Sequence, residues 1–469
     1  MRNPKATKFV AKLTEMKKLK FPYPAIALSI FLILISWNSV LSQNKAEPPI
    51  GILIDNLFYI TEVMVTDVAS PPAAARFYAY ATLGAHLAWN KTNNLRTEDL
   101  CLFESSNLEN PSYEDAIGEN LSPHFIATYS MLEVGKKIMP SGFLLEEKQI
   151  ALKKDFTRSK WINKKDLNAN VSFAEDIAAE VLKIANEDGY SSLSTLTRYT
   201  PKKNEGHWYP TPPAYMAAIE PEWRTLKTFF LQDLKSFKPA PPAPFSLEEG
   251  SPFKKQLFEV IEVTSQLSDE QNLIANFWDC NPFMVSFSGH MAIGMKKISP
   301  GGHWVGITGI ASQKADLPWK ETIYIHTLIS MALHDAFVSC WEEKYDSDRI
   351  RPETAIQKYV DQTWRPLLQT PPFPEYTSGH SVVSTTSAMI LTDFFGEDFD
   401  FIDDSEVYFG LPERAFKSFN QAAEEAAISR LYGGIHFRDA IEEGVKQGKL
   451  IGKEILQKTG SKKSIAVGN

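Results

Sequence analysis

An apolar stripe runs along residues 318–345 at the spacing of one helix face: Ile325, Leu328/Ile329, Ala332/Leu333, Ala336/Phe337 and Cys340/Trp341. The next position on that stripe is Lys344. Burying an unpaired ammonium is costly, so this lysine needs a reason to be there. Either it snorkels to water from near the helix end, or the fold keeps a cation inside for a purpose. The same oddity recurs over 412–430, where Phe416, Phe419, Ala423 and Ala426/Ala427 form the stripe and Arg430 continues it. Gly433-Gly434 then stop that helix, and His436 follows.

Helical patterning holds almost throughout from Gly51, and extended alternating segments are scarce, which makes the fold class all-α. Further helices are expected over 52–66, 74–95, 112–136 and 169–188. Another opens at Ser378-Gly379-His380 and runs to Phe394, and one more follows His436, marked by Ile441, Val445, Ile451 and Ile455. Ser70-Pro71-Pro72 reads as a break and a helix start. The Pro-rich stretches 207–213 and 238–244 read as ordered loops, the second dividing an N-terminal helical region, 43–245, from a C-terminal one, 246–469.

Residues 1–42 have the layout of a secretory signal. Lys17, Lys18 and Lys20 flank an apolar run over 24–35, too short for a confident membrane span, and Val40-Leu41-Ser42 offers a small-residue cleavage site. Met16-Lys17-Lys18 resembles a more usual start for such a signal. The expected location is exported, periplasmic or extracellular, with no stable membrane insertion once the signal is removed. The formal net charge is −8, and residues 1–42 hold seven basic residues and one acid, so the remainder is more acidic still. That argues against nucleic acid as the main partner, and any anion site must be a local cluster of cations. Three cysteines (Cys101, Cys280, Cys340) make no disulfide framework and no CxxC spacing; they read as small core residues.

Lys344, Arg351 and Arg430 are three cations near helix ends or loops. Ser378-Gly379-His380 adds a hydroxyl, a helix-start amide and an imidazole, and His436 a second imidazole. Unpaired amides at a helix start seat anions, and a glycine there permits close approach. Together these are the parts for holding a tetrahedral oxyanion such as phosphate or vanadate. Pro352 biases Arg351 toward an extended backbone. Two histidines can divide the roles of ligand or nucleophile and of proton donor.

Lys344-x6-Arg351-Pro352, Ser378-Gly379-His380 and Ser429-Arg430-x5-His436 resemble, in order, spacing and helix context, the three-part signature shared by vanadium-dependent haloperoxidases and the type 2 phosphatidate/acid phosphatases. The motifs run from about Trp341 to His436. Looser similarity at Trp208, Pro210 and Pro212 and at Phe277-Trp278-Asp279 extends it over most of the chain. The resemblance implies two four-helix-bundle-like cores and vanadate as cofactor. Lys344, Arg351 and Arg430 would bind its oxygens, Ser378 and Gly379 would donate to them, His436 would be the axial ligand to the metal, and His380 the acid–base group. Hydrogen peroxide and halide would be the substrates and hypohalous acid the product, with Lys344 polarising the peroxide.

The chain also departs from the family pattern. Thr377 stands where proline is usual, so its hydroxyl is expected to cap the turn into the helix. Ala440 replaces an acid usual four residues after the axial histidine, leaving Asp439 as the expected partner orienting His436. Removing the Lys344 ammonium from among like charges is expected to relieve repulsion rather than destabilise the protein.

Trp341 and Phe373 would line the substrate pocket. Phe373 resembles the chloroperoxidases at a position where bromoperoxidases usually have histidine, and Phe373-Pro374-Glu375-Tyr376-Thr377 is similar to bacterial iodoperoxidases. That resemblance favours a haloperoxidase oxidising iodide over an exported phosphomonoesterase using His436 as nucleophile. Among the remaining residues, Ser288-Gly289-His290 reads as loop, His303 as a satisfied structural histidine, His334-Asp335 as a local pair, Arg349 as solvated among Asp346 and Asp348, and Asp279 as a positioning acid for Arg430.

Overall fold

Serine followed by proline opens four of the described helices, at Ser70, Ser122, Ser251 and Ser299, and three of these serines cap with the side chain. Ser70, Ser251 and Ser299 each accept, through the side-chain oxygen, a backbone N–H three residues on, and Pro71, Pro252 and Pro300 occupy the first helical position. A computed structural model describes residues 47–95, 120–294 and 297–460. The candidate signal, Cys101 and the start of the helix expected at 112–136 lie outside the described residues.

Among the described residues, the first run of helices is α1 (Gly51–Thr66), α2 (Pro71–Thr92), α3 (Pro123–Ile138), α4 (Glu146–Arg158) and α5 (Leu167–Asn186). A long loop region with short 3₁₀ turns leads to α6 (Pro252–Ser265) and α7 (Asp269–Phe277). An antiparallel hairpin, β1 (Val285–Ser288) and β2 (Met291–Gly294), places Gly289-His290 at its tip. Then come α8 (Pro300–Lys314), α9 (Trp319–Ser347), α10 (Pro352–Tyr359) and α11 (Gly379–Phe395). A second hairpin, β3 (Phe401–Asp403) and β4 (Arg414–Phe416), precedes α12 (Phe419–Tyr432) and α13 (Arg438–Thr459). The helix expected from 412 therefore starts at Phe419. Phe416 belongs to β4, where it faces Phe401 across the hairpin.

The helices form two bundles that share α9. On one side α9 and α2 pack together, with α2 also against α3 and α5; on the other α9 packs on α11, which packs on α12 and α13. α9 is long and apolar enough to cross a membrane, but its apolar window is buried inside the fold. The main core extends from Leu53 to Ile455, and a smaller one joins Phe253, Leu257 and Val260 to Ile356, Leu431 and Phe437. His334 and Asp335 do not pair with each other. His334 Nε2 bonds the Lys227 carbonyl at 3.0 Å, while the Asp335 carboxylate accepts the amides of Phe229, Phe230 and Leu231 at 2.7, 2.6 and 3.1 Å.

Close approach of α13 to α11 sets where the Ser378–His380 turn sits. Gly444, Gly448 and Gly452 recur every fourth residue along α13 and face α11. A Cβ on Gly444 would lie 2.8 Å from Ser381 Cβ and 3.0 Å from the Ser378 carbonyl; one on Gly448 would lie 2.6 Å from the Val382 carbonyl. Backbone cannot yield there as a flexible side chain can, so the two helices must separate if these positions gain a side chain. Gly448→Ala is expected to destabilise by about 1–3 kcal/mol. It should also weaken oxyanion binding, because the α11 start moves; denaturant unfolding and anion titration of the same variant check both.

Candidate active site

Lys344, near the end of α9, is fully buried. It does not reach water. Its ammonium donates to the carbonyls of Pro374, Glu375 and Thr377 at 3.0, 3.1 and 2.6 Å, one for each of its protons. The Phe373 ring lies 5.1 Å from the same nitrogen. Burial pulls the ammonium down to about 7, with Arg351 acting in the same direction. Lys344 is therefore a post under segment 374–377, and removing it would orphan three carbonyls, contrary to the expected relief of repulsion.

Arg351 caps the start of α10 with extended backbone, as the following proline predicts. Its Nε donates to the Phe373 carbonyl at 2.9 Å; its Nη1 donates to the Ile435 carbonyl at 2.9 Å and lies 3.1 Å from His436 Nε2. Its Nη2 is buried without a partner. Arg430, in the last turn of α12, donates to Ser429 Oγ and the Ala275 carbonyl at 2.9 and 3.2 Å. Asp279 lies near enough to act on Arg430 through space, but its own carboxylate is paired with Lys297 at 2.5 Å.

Gly433 and Gly434 turn the chain so that His436 lands beside Arg351. The residue that orients His436 is Glu375, not Asp439. His436 Nδ1 donates to Glu375 Oε1 at 2.9 Å, and the Phe437 amide donates to the same oxygen at 2.9 Å. Asp439 instead pairs with Arg349 at 2.5 Å, and Arg349 reaches Glu375 Oε2 at 3.3 Å. Arg349 is thus buried, not solvated.

These bonds assign the tautomer of His436: the Nδ1 proton faces Glu375, and the Nε2 lone pair accepts from Arg351. Burial, then Arg351, Lys344, Arg430 and Arg349, holds the ring well below the usual histidine range, so it stays neutral. Such a nitrogen is a ready ligand, and a carboxylate behind a ligating histidine fixes its orientation.

Ser378 caps α11, its Oγ accepting the Ser381 amide at 3.3 Å while its own amide donates to the Ala440 carbonyl at 3.0 Å. Thr377 does not cap the helix as expected. Its hydroxyl donates to Gln447 Oε1 at 2.7 Å, because Ser378 already fills the cap position. His380, one residue into α11, bonds the Trp278 carbonyl, and its Nε2 is buried with no partner. Burial, Arg430 and His436 keep it neutral. A narrow cavity is lined by Gly379, His380, Arg430, His436, Trp341 and Phe373. Lys344, Arg351 and Ser378 stand directly behind this lining, Lys344 and Arg351 each 5.1 Å from the Phe373 ring. Gly289-His290 forms no part of the cavity wall.

Three buried cations crowd one cavity, with Arg351 Nη2 and His380 Nε2 left unpartnered there. A tetrahedral oxyanion fits that set in charge and in hydrogen-bonding need. A family model, the VCPO second helical-bundle domain, matches residues 324–463. The solved structure of a bacterial vanadium-dependent iodoperoxidase is 39% identical to this chain, with a TM-score of 0.81 over 90% of this chain and 100% of that one. This chain belongs to the vanadium-dependent haloperoxidase family.

Two bacterial vanadium-dependent chloroperoxidase structures, apo-type and holo-type, share the fold at TM-scores of 0.59 and 0.54. Each is 15% identical, covering 84% and 89% of this chain and 94% of theirs. No curated protein sequence matches the chain.

Within this haloperoxidase, Glu375 and Arg349 are the site residues that the motif reading missed. Glu375 lies three residues before Ser378, between a proline and an aromatic, and a fully buried acid in such a setting requires a partner.

Lys344→Met, which keeps the apolar volume, should lower stability by about 2–4 kcal/mol through its orphaned carbonyls. The pH dependence has a defined sign. The folded pKa of about 7 lies below the unfolded value, so between pH 7 and 9 the unfolded chain holds a proton that the native chain has lost. Wild-type stability therefore gains on the variant's as pH rises through that window. Unfolding midpoints of both proteins at pH 7 and pH 9 measure it.

Proposed function

We propose that this chain oxidises halides with hydrogen peroxide, using vanadate, and releases hypohalous acid, with iodide its preferred halide. The observation that carries the reading is the neutral His436, its Nε2 presented among Lys344, Arg351 and Arg430 and its Nδ1 held by Glu375. Arg351, Arg430, Ser378 and the Gly379 amide would hold the vanadate oxygens and His436 Nε2 would ligate the metal, while Lys344, its three protons given to carbonyls, would act on the anion through its charge. When bound, vanadate supplies a Lewis acid in its highest oxidation state, which needs no external reductant.

The chain's own residues do the rest. Glu375 keeps the His436 lone pair aimed into the cavity, and Arg349 keeps Glu375 in place. His380, neutral and with a free Nε2, takes or returns a proton there. Lys344 and Arg351 concentrate positive charge behind an apolar wall of Trp341 and Phe373, whose ring centroids lie 5.0 Å apart. That wall excludes water and raises the effect of the charges. Phe373 cannot hydrogen-bond a halide, but it is a residue the chloroperoxidases share, so the iodide preference rests on the resemblance of the segment Phe373-Pro374-Glu375-Tyr376-Thr377 to iodoperoxidases. Similarity to the structure of a bacterial iodoperoxidase supports the same preference. Export, read from residues 1–42, would place the reaction outside the cytoplasm.

Steady-state assays of the vanadate-loaded protein with iodide, bromide and chloride at equal concentration test the halide order. The expected result is iodide well above bromide and little chloride; efficient chloride oxidation overturns the preference and leaves the class standing. Hydrolysis of a phosphate monoester without any halide oxidation would overturn the class.

His436→Ala should retain no vanadium by elemental analysis while its far-ultraviolet circular dichroism stays unchanged. Full vanadium occupancy in that variant would remove His436 as ligand. Phosphate at millimolar concentration should slow vanadate reconstitution, because both present tetrahedral oxygens to the same cations. Reconstitution rates with and without it decide.

A further inference from the structure

Cys280, His303 and Glu406 come from three separate parts of the fold: the loop after α7, the first turns of α8, and the loop between β3 and β4. All three are buried. Cys280 Sγ lies 3.4 Å from His303 Nδ1, His303 Nδ1 lies 3.3 Å from Glu406 Oε1, and Cys280 Sγ lies 3.9 Å from Glu406 Oε1. We infer that these three side chains form a binding site for a zinc-class divalent cation beside the oxyanion cavity, whose wall includes Cys280.

The triangle has the size that a tetrahedral ion requires. With zinc bonds of about 2.3 Å to sulfur, 2.0–2.1 Å to nitrogen and 2.0 Å to oxygen, the tetrahedral edges are about 3.5 Å (S···N), 3.3 Å (N···O) and 3.5 Å (S···O). Two of the three observed separations fall within about 0.1 Å of these, and the third closes by a small rotation of either side chain.

The surroundings favour the same ion. His303 Nε2 lies 2.7 Å from Asp403 Oδ2, an arrangement that leaves Nδ1 as the lone-pair nitrogen facing Cys280 and Glu406. Trp278 stacks on the imidazole at 4.5 Å and 21°, which holds the ring plane. A thiolate and a carboxylate neutralise a dication, and thiolate with imidazole selects zinc-class metals over calcium or magnesium. Without a cation, His303 lies between two buried carboxylates: Asp403, which Ser405 also holds, and Glu406, whose other neighbour in the cluster is the weakly donating Cys280 thiol. Three protein ligands leave a fourth position, and Cys280 opens onto the cavity that also holds His380 and His436, from which a water molecule can enter.

The test uses the full chain without vanadate, stripped with a chelator and titrated with cobalt(II) as a spectroscopic substitute for zinc. One equivalent should bind, with thiolate-to-cobalt charge-transfer absorption and the visible bands of a tetrahedral ion, and zinc should displace it. Cys280→Ser, nearly isosteric and checked for folding by circular dichroism, should lose the charge-transfer band and bind more than about 100-fold more weakly. Asp403→Asn should keep the band and weaken binding by about 10- to 100-fold. No stoichiometric cobalt binding by the wild-type chain overturns the site. So does a charge-transfer band that survives in Cys280→Ser, which would put the metal on another cysteine.

Discussion

Everything around the cavity depends on keeping three cations dry. Lys344, Arg351 and Arg430 are all nearly or fully buried, and the protein surrounds them mostly with backbone carbonyls rather than carboxylates. Carbonyls orient a cation without cancelling its charge, so positive potential survives for a ligand. The one carboxylate at the centre, Glu375, is already engaged by His436, the Phe437 amide and Arg349. Net charge at the site therefore stays positive in a chain that is acidic as a whole. That imbalance is what an oxyanion resolves.

The architecture supplies the rigidity this requires. α9 belongs to both bundles and carries Asp335 in one turn and Lys344 two and a half turns later. Asp335 fastens segment 229–231 to the helix through three amides; Lys344 fastens segment 374–377 through three carbonyls. One anion and one cation on a single helix thus pin loops that periodicity alone leaves undefined. The glycine stripe on α13 completes the frame by letting α11 settle against it.

Much of this was legible in the sequence, and the reasons differ by residue. Lys344 and Arg430 stand out as charges continuing apolar stripes, and helix periodicity places α1, α2, α5, α9, α11 and α13 within a few residues, whereas α4, α6, α7, α8 and α10 are not among the helices expected from it. α12 begins later than its stripe suggests because Phe416 continues the helical spacing by accident while it pairs with Phe401 in a hairpin. That Glu375 and not Asp439 orients His436 is hidden from the sequence for a different reason. Asp439 is close in sequence and Glu375 is 61 residues away; only the packed chain shows that segment 374–377 doubles back across α9. Arg349 looked solvated because its neighbours are acids. Asp348, however, is fully buried and turned toward Tyr199 and His207.

That aspartate gives the Lys344-x6-Arg351 interval its length. Asp348 ends α9 with a left-handed backbone, φ +50°, uncommon for a residue with a side chain. The conformation is held from outside: its carboxylate meets the Tyr199 hydroxyl, His207 Nδ1 and Lys202, and its carbonyl accepts the Trp208 amide at 2.8 Å. The six residues between the two cations are therefore a folded corner buttressed by a distant loop, not a spacer. Motif searches of fixed spacing thus select for the corner as much as for the chemistry, and would pass over sites that reach the same charge geometry by another bend.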